Sequence, residues 1–258
     1  MLHDHILDGI PIWGVYGAAL LLFLVSIEAA YRLGHRRRDG SDTPHSGNTL
    51  GAIFALVGFL LAFTFGMAGS QYNARRQLVL EDANAIGTAY LRAAQLPDSY
   101  RLNTRALLRD YVSDRHIVDV ETLGARTARW EQLQERLWAE ATAAAETHPT
   151  PITSLFIQSL NEMFDIHARR KTITLWTRIP PMIFVTLAFL SVLIMASLGY
   201  VLGLSGRRHI VPTFLLVLTY ATVFLLVIDL DRPEQGLFRV SQQPMIDLRQ
   251  SMGIDAEP

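Results

Sequence analysis

Four apolar stretches, each close to the length that crosses a membrane as a helix, constrain this chain more than any other feature. A helix rises about 1.5 Å per residue, so about 20 mostly apolar residues cross the roughly 30 Å hydrocarbon core. The stretches lack the alternation of barrel strands, and backbone amides in lipid must then be satisfied within a helix. We therefore predict an all-α, multi-pass membrane protein. Its transmembrane helices are predicted at residues 10–30, 49–69, 180–204 and 211–229.

Polar segments separate and flank the predicted spans. The largest is a helical extramembrane insert at residues 70–178, between the second and third spans. A basic loop at 31–48 joins the first two spans, and a short basic loop at 205–210 joins the last two. The tails are residues 1–9 and 230–258. Each pair of spans is a hairpin, so both short loops lie on one side of the membrane and the insert lies on the other.

Apolar residues recur at helical spacing through the insert, which predicts four helices there. The first, at residues 71–96, continues the second span without a break and ends before a proline. The second covers residues 98–118, and the third has one apolar stripe across residues 130–144. The fourth begins near Ile152. No strand pattern is present.

The charge and the motifs of the chain exclude several classes of function. A formal net charge of −1 gives no basic field for nucleic acid, and none is predicted as a partner. The chain has no cysteine, which removes disulfides and thiolate chemistry. Phosphate loops, nucleophile elbows and zinc-protease motifs are missing, so we predict no enzyme and no cofactor. His167, Glu162 and Asp165 are too few ligands for a convincing metal site.

Lys and Arg residues near the predicted spans give conflicting predictions of the orientation in the membrane. The first basic loop carries four arginines and the second carries two, which favours a cytoplasmic location for both loops in a cell (inner or plasma) membrane. Eight basic residues lie close to span ends on the insert side and oppose this orientation.

Acidic and aromatic residues inside the spans are the candidate functional residues. Glu28 lies near the end of the first span, where it pairs with Arg32 one turn later or serves a proton or ion role. The second span mixes four glycines with four phenylalanines. Small residues permit close helix packing, which is one interpretation. In the other, Phe63 and Phe65 face an oligomer axis and form a hydrophobic constriction that gates by dewetting.

The end of the fourth span has a second polar cluster. Asp229 and Asp231 end the helix, Arg232 can pair with either, and Gly236 permits a turn. The following residues, 237–248, are predicted to lie against the insert. The cluster is either a structural clamp or a ligand-sensing turn.

Three stretches resemble a family of mainly bacterial membrane proteins described as bestrophin-like. They are GAIFALVGFLLAFTFGMAGSQYNARRQLVLEDANAIGTAYLR in and after the second span, RIPPMIF at the entrance of the third, and LVIDLDRPEQGLFRVSQQPMIDL at the end of the fourth. The residues that fit the family pattern in the last stretch include Asp229, Asp231, Arg232, Pro233 and Gly236.

The resemblance implies an anion channel. Bestrophins are pentamers in which the second membrane helix lines a central neck, so the resemblance implies that Phe59, Phe63 and Phe65 line a pore and that Arg75 and Arg76 attract anions at one mouth. It also implies a cytosolic insert, contrary to the basic loops. Bestrophin's tryptophan-rich stretch and acidic calcium clasp are missing here, so calcium gating is not implied. The competing hypothesis is a non-conducting membrane scaffold or sensor whose polar insert binds a partner.

Overall fold

Helices make up most of the chain that the structure describes. The computed structural model describes residues 11–37, 46–113, 115, 117, 120–176, 178–206, 208–232 and 236–254, without the side chains of 46–48, 120–123 and 174–176. The predicted tail at 1–9, residues 38–45 of the first basic loop, and Pro233 lie outside this part. The helices are α1 (Ile12–Arg36), α2 (Ser46–Ala93), α3 (Asp98–Val112), α4 (Val120–Thr147), α5 (Pro151–Trp176), α6 (Pro181–Ser205), α7 (Ile210–Asp231) and α8 (Gln243–Ser251).

The predicted fold class is confirmed. Over the described residues, no strand is present, and four helices are long and apolar enough to cross a membrane. These helices are α1, α2, α6 and α7. The chain divides into two compact units, one formed by Met1–Gln71 with Arg178–Phe238 and the other by Tyr72–Thr177 with Arg239–Pro258.

Helix α1 is longer than the predicted span. It continues to Arg36, although the sequence predicts a loop from residue 31. Two local interactions explain the extension. Arg32 Nε donates to Glu28 Oε1 over 2.7 Å, an i,i+4 pair that supports this turn, and the neighbouring Tyr31 is buried.

Helix α2 is a single helix of 48 residues. At about 1.5 Å per residue it is roughly 72 Å long, more than twice the hydrocarbon thickness of a membrane. The predicted continuation beyond the second span is therefore confirmed. The helix ends at Ala93, and Pro97, which lacks a backbone donor, then forms the N-cap of α3.

Close backbone packing joins α1 to α6 in the membrane-spanning unit. Gly199 and Gly203 of α6 lie against the backbone of α1, so that an added Cβ would collide with the carbonyl oxygens of Ile27 and Tyr31. Gly34 of α1 faces the carbonyl oxygen of Tyr200 in the same way. In lipid the hydrophobic effect does not drive helices together, so this close packing of small residues is a main source of their association.

The same unit keeps many large apolar side chains on its surface. Leu21 of α1, Val185 and Phe189 of α6, and Phe214 of α7 are all exposed. A soluble protein rarely exposes so much apolar area, whereas a bilayer or a neighbouring membrane subunit covers it at no cost.

The second unit has a water-soluble type of core built from α2 to α5 and α8. Its fully buried side chains include Tyr111 of α3, Leu137 of α4, and Phe156 and Leu160 of α5. Met245 of α8 is in the same cluster. The sequence missed α8 as a helix but correctly predicted that this segment lies against the insert.

Candidate functional site

The apolar part of α2 has one buried face and one exposed face. Val57, Leu61 and Ala68 form the buried stripe, and Val57 packs into the core of the membrane-spanning unit. Phe59 and Phe63 are on the other side, with 67% and 63% of their surfaces exposed. Large aromatic side chains in this position require lipid or another subunit to cover them, or an apolar pathway to line.

The helical period groups two of the three predicted pore residues. Successive residues turn by about 100°, so Phe59 and Phe63, four residues apart, lie within about 40° of each other. Phe65 lies about 200° from Phe63 and therefore on a different face, although it too is exposed. The structure thus brings Phe59 and Phe63 together and separates Phe65 from them. The spacing alone contained this information.

The glycines in the apolar part of α2 are open, unlike Gly34 of α1 and Gly199 and Gly203 of α6. At Gly51, Gly58, Gly66 and Gly69, an added Cβ would meet no atom within 4 Å. These four glycines therefore do not mediate packing against any other described part of the chain. They leave a smooth surface on α2 that a second copy of the chain can approach closely.

The two arginines that follow the apolar part of α2 have different environments. Arg75 is buried, with 5% of its surface exposed, whereas Arg76 is exposed. Twelve and thirteen residues beyond Phe63, they lie at least about 120° around an ideal helix from it. The structure therefore does not place Arg75 and Arg76 on the face that carries Phe59 and Phe63.

Glu28 has two basic neighbours. Arg32 is 2.7 Å away, and Arg208 Nη2 donates to the same Oε1 over 3.5 Å. The guanidinium of Arg208 also lies over the Tyr31 ring, 4.4 Å from its centroid. Glu28 is thus engaged in an ion-pair cluster at the end of α1, which agrees with the pairing interpretation.

Four of the five family-pattern residues meet at the end of α7. Asp229 is fully buried and accepts the backbone N–H groups of Leu237 (2.8 Å) and Phe238 (3.0 Å). A Cβ on Gly236 would lie 2.8 Å from Asp229 Oδ1, so a larger residue would displace the carboxylate. Asp231 accepts the N–H of Ile179 over 2.9 Å.

These bonds give the turn a structural role. A carboxylate at a helix C-terminus is opposed by the helix dipole, and the backbone donors offset that repulsion. Arg232 is buried beside Asp231. This geometry favours the structural clamp, while Pro233 lies outside the described residues.

A buried ionic cluster in the second unit is the feature that the sequence interpretation missed. Asp82 of α2 is fully buried, and its Oδ2 accepts hydrogen bonds from Arg115 Nη2 and, over 2.8 Å, from Arg170 Nη1. Arg170 also donates to Gln242 Oε1 over 3.0 Å. One carboxylate therefore links α2, the α3–α4 loop, α5 and the segment before α8.

His167 adjoins this cluster in its neutral form. Arg115 Nη1 donates to His167 Nδ1 over 3.1 Å, and since arginine is only a donor, Nδ1 must accept and the ring proton lies on Nε2. Burial and the positive charge of Arg115 lower the pKa of His167 to about 4. Glu162 and Asp165, the predicted acidic neighbours, are exposed instead. Over the described residues, no group of three His, Asp or Glu side chains converges.

Aromatic rings complete the cluster around Arg115. Its Cζ lies 4.6 Å from the ring centroid of Tyr111 and 4.8 Å from that of Trp130. Burial raises the pKa of Tyr111 to about 12, so its hydroxyl stays protonated, and it accepts a hydrogen bond from Gln134 over 3.0 Å. The contact with Tyr111 is local in the sequence, whereas Trp130 comes from α4 and no spacing marks it as a partner of Arg115.

These features define an α-helical membrane protein with four spans and a long second helix that continues into a soluble-type core. The family comparison is specific: the bestrophin-like domain model matches residues 17–245. The chain belongs to the bestrophin-like family. No curated protein matches it.

Solved structures agree at the level of the fold. A bacterial bestrophin homologue from Klebsiella pneumoniae, carrying one substitution, has a TM-score of 0.65 at 13% identity over 91% of this chain and 97% of that chain. The structure of the homologue determined by zinc phasing has a TM-score of 0.63 at 14% identity over 91% and 97%. A structure described as a membrane protein, also with one substitution, has a TM-score of 0.68 at 14% identity over 96% and 100%.

Proposed function

We propose that this protein is a homo-oligomeric ion channel in which α2 of each subunit faces a central axis. The observation that carries the proposal is the face of α2 on which Phe59 and Phe63 are exposed, in an apolar stretch whose glycines from Gly51 to Gly69 have no other described part of the chain packed against them. Bestrophins are an anion-channel family, so anions are the proposed cargo and a pentamer is the proposed assembly.

The apolar side chains suit a gate better than a binding site. Phe59 and Phe63 offer no hydrogen bond to replace an ion's hydration shell, so a narrow ring of them opposes conduction by excluding water. The proposed function thus requires no catalytic residue and no cofactor. Arg76 is the exposed basic residue beyond the apolar stretch, and we infer that it attracts anions there.

Native mass spectrometry and liposome flux test this proposal together. A pentamer that carries chloride faster than empty vesicles is the expected result. Phe63→Ala shortens the apolar ring and should raise the flux, because a wider constriction stays hydrated. Phe189→Ala is the matched control: it removes an equally exposed phenylalanine from α6 and should leave the flux unchanged.

Two results would refute the axial pore. One is flux no greater than that of empty vesicles, and the other is a native mass of a monomer or dimer, since neither encloses an axis lined by one helix per subunit. A small stoichiometry would support the alternative of a scaffold or sensor whose helical region binds a partner.

We further infer that the protein lies in the cell membrane with its short basic loops on the cytoplasmic side. The chain has no cysteine, so Ser205→Cys and Ser113→Cys each introduce a single thiol. A membrane-impermeant maleimide applied to intact cells should label Ser113→Cys and spare Ser205→Cys. The reverse pattern would place the helical insert in the cytoplasm.

A further inference from the structure

An apolar groove of about 420 Å³ lies on the membrane-spanning unit between α1, the start of α2 and α6. Its lining is almost entirely hydrocarbon and includes Ala30, Leu33, Leu50, Ile53, Leu193 and Tyr200. Its volume is within the range of ordinary small-molecule sites. The helices that form the groove are long and apolar enough to cross a membrane, so the acyl chains of lipids can reach it.

Arg36 and Arg37 follow the groove residues of α1 by about one helical turn, just beyond its lining. Arg37 follows Leu33 by one helical turn, and its backbone N–H donates to the Leu33 carbonyl over 3.3 Å. The helical period places Arg37 between the directions of Leu33 and Ala30, and Arg36 about 60° from Leu33. Both arginines are exposed, and within the described part of the chain neither guanidinium has a hydrogen bond or an ion pair.

The other basic residues at this end of the unit are already engaged. Arg32 and Arg208 both bond Glu28, and Arg208 also covers the ring of Tyr31. The helix dipole favours cations at the end of α1, but it does not fill the donor positions of a guanidinium. Among the described residues, no acidic side chain pairs with Arg36 or Arg37, so both can bind an anion from outside the chain.

We propose that the groove binds one acyl chain of an anionic phospholipid while Arg36 and Arg37 bind its phosphate. A zwitterionic headgroup carries its own ammonium, which competes with the arginines for the phosphate, so the site favours an anionic headgroup. Leu50 and Ile53 belong to α2, so the bound lipid would contact the helix that lines the pore in the proposed function. The site itself does not depend on conduction and is tested without it.

The probe is phosphatidylglycerol, compared with phosphatidylcholine of identical acyl chains, added to the purified, delipidated full-length protein and counted by native mass spectrometry. The wild type should retain phosphatidylglycerol in preference. The double variant Arg36→Gln, Arg37→Gln should weaken that retention about tenfold, to the level of phosphatidylcholine. Arg208→Gln removes the same kind of charge at the same end of the unit and should keep the preference.

A second pair of variants tests the groove. Ala196→Trp fills it and should reduce retention of both lipids, whereas Phe189→Trp lies on the same helix outside the lining and should not. If Ala196→Trp does not fold, Ser197→Cys provides a single thiol in the lining, and phosphatidylglycerol should slow its labelling by N-ethylmaleimide more than phosphatidylcholine does.

Several outcomes would overturn the proposal. An equal loss of phosphatidylglycerol in the double variant and in Arg208→Gln would show a general charge effect. Unchanged retention in Ala196→Trp, or unchanged thiol labelling, would remove the acyl chain from the groove. A native mass altered by Ala196→Trp would assign the groove to contact between subunits.

Discussion

Removing the charge of Asp82 tests whether the buried cluster holds the second unit together. Asp82 is fully buried, and Arg115 beside it has a side chain that is only 1% exposed. Asp82→Asn preserves the shape but removes the carboxylate charge that both Arg115 and Arg170 bond. Breaking a buried ion pair in this way costs about 3–5 kcal/mol. For a chain of this size, a loss of about 3 kcal/mol lowers the melting temperature by roughly 6–12 °C.

The assay is thermal unfolding of the purified protein in detergent at a fixed heating rate, followed by circular dichroism and tryptophan fluorescence. Glu131→Gln is the control, because Glu131 bonds Lys171 over 2.8 Å with both side chains about half exposed. An exposed pair is worth about 0–1 kcal/mol, so the control should melt within about 4 °C of the wild type. If Asp82→Asn also melts within that interval, the buried cluster does not stabilise the second unit.

Two further predictions concern pH and packing. The pKa of His167 is about 4 in the folded chain and 6.5 in the unfolded chain. The unfolded chain therefore takes up a proton first as the pH falls below 6.5. The free energy of unfolding should decrease by about 3 kcal/mol between pH 6.5 and pH 4. Denaturation at several pH values should show this loss in the wild type and not in His167→Asn. Gly199→Ala places a Cβ 2.8 Å from the Ile27 Cα and should cost about 1–3 kcal/mol. Gly17→Ala, which meets no atom within 4 Å, should be neutral or slightly stabilising, and equal melting temperatures would contradict the close packing.

Local patterns in the sequence predicted the architecture. The length of the apolar stretches predicted the four spans, and the unbroken helical spacing of apolar residues predicted that α2 continues beyond its span. The pairing of Glu28 with Arg32 was predictable because residues four apart are neighbours on any helix. Each of these inferences depends on residues within a few turns of one another.

Tertiary contacts could not be predicted from the sequence, because they join residues that are far apart along the chain. Asp82 bonds partners 33 and 88 residues away, and nothing in the spacing marks Arg115 or Arg170 among the 23 basic residues. Helix α8 was missed because it is nine residues long and gains stability by burying Met245, which depends on the rest of the unit. The covered face of α2 could not be predicted either, because it depends on which other helices pack against α2.

The second unit takes its residues from two separate parts of the chain, and this sets an order of events during synthesis. Tyr72–Thr177 emerges from the ribosome before α6 and α7, whereas Arg239–Pro258 emerges after them. The later part supplies Met245 and Met252 to the core, and it supplies Gln242, which accepts the hydrogen bond from Arg170. The core therefore stays incomplete until the last two membrane helices have been made. A chain that stops early exposes an unfinished apolar surface, the kind of surface that chaperones and proteases recognise.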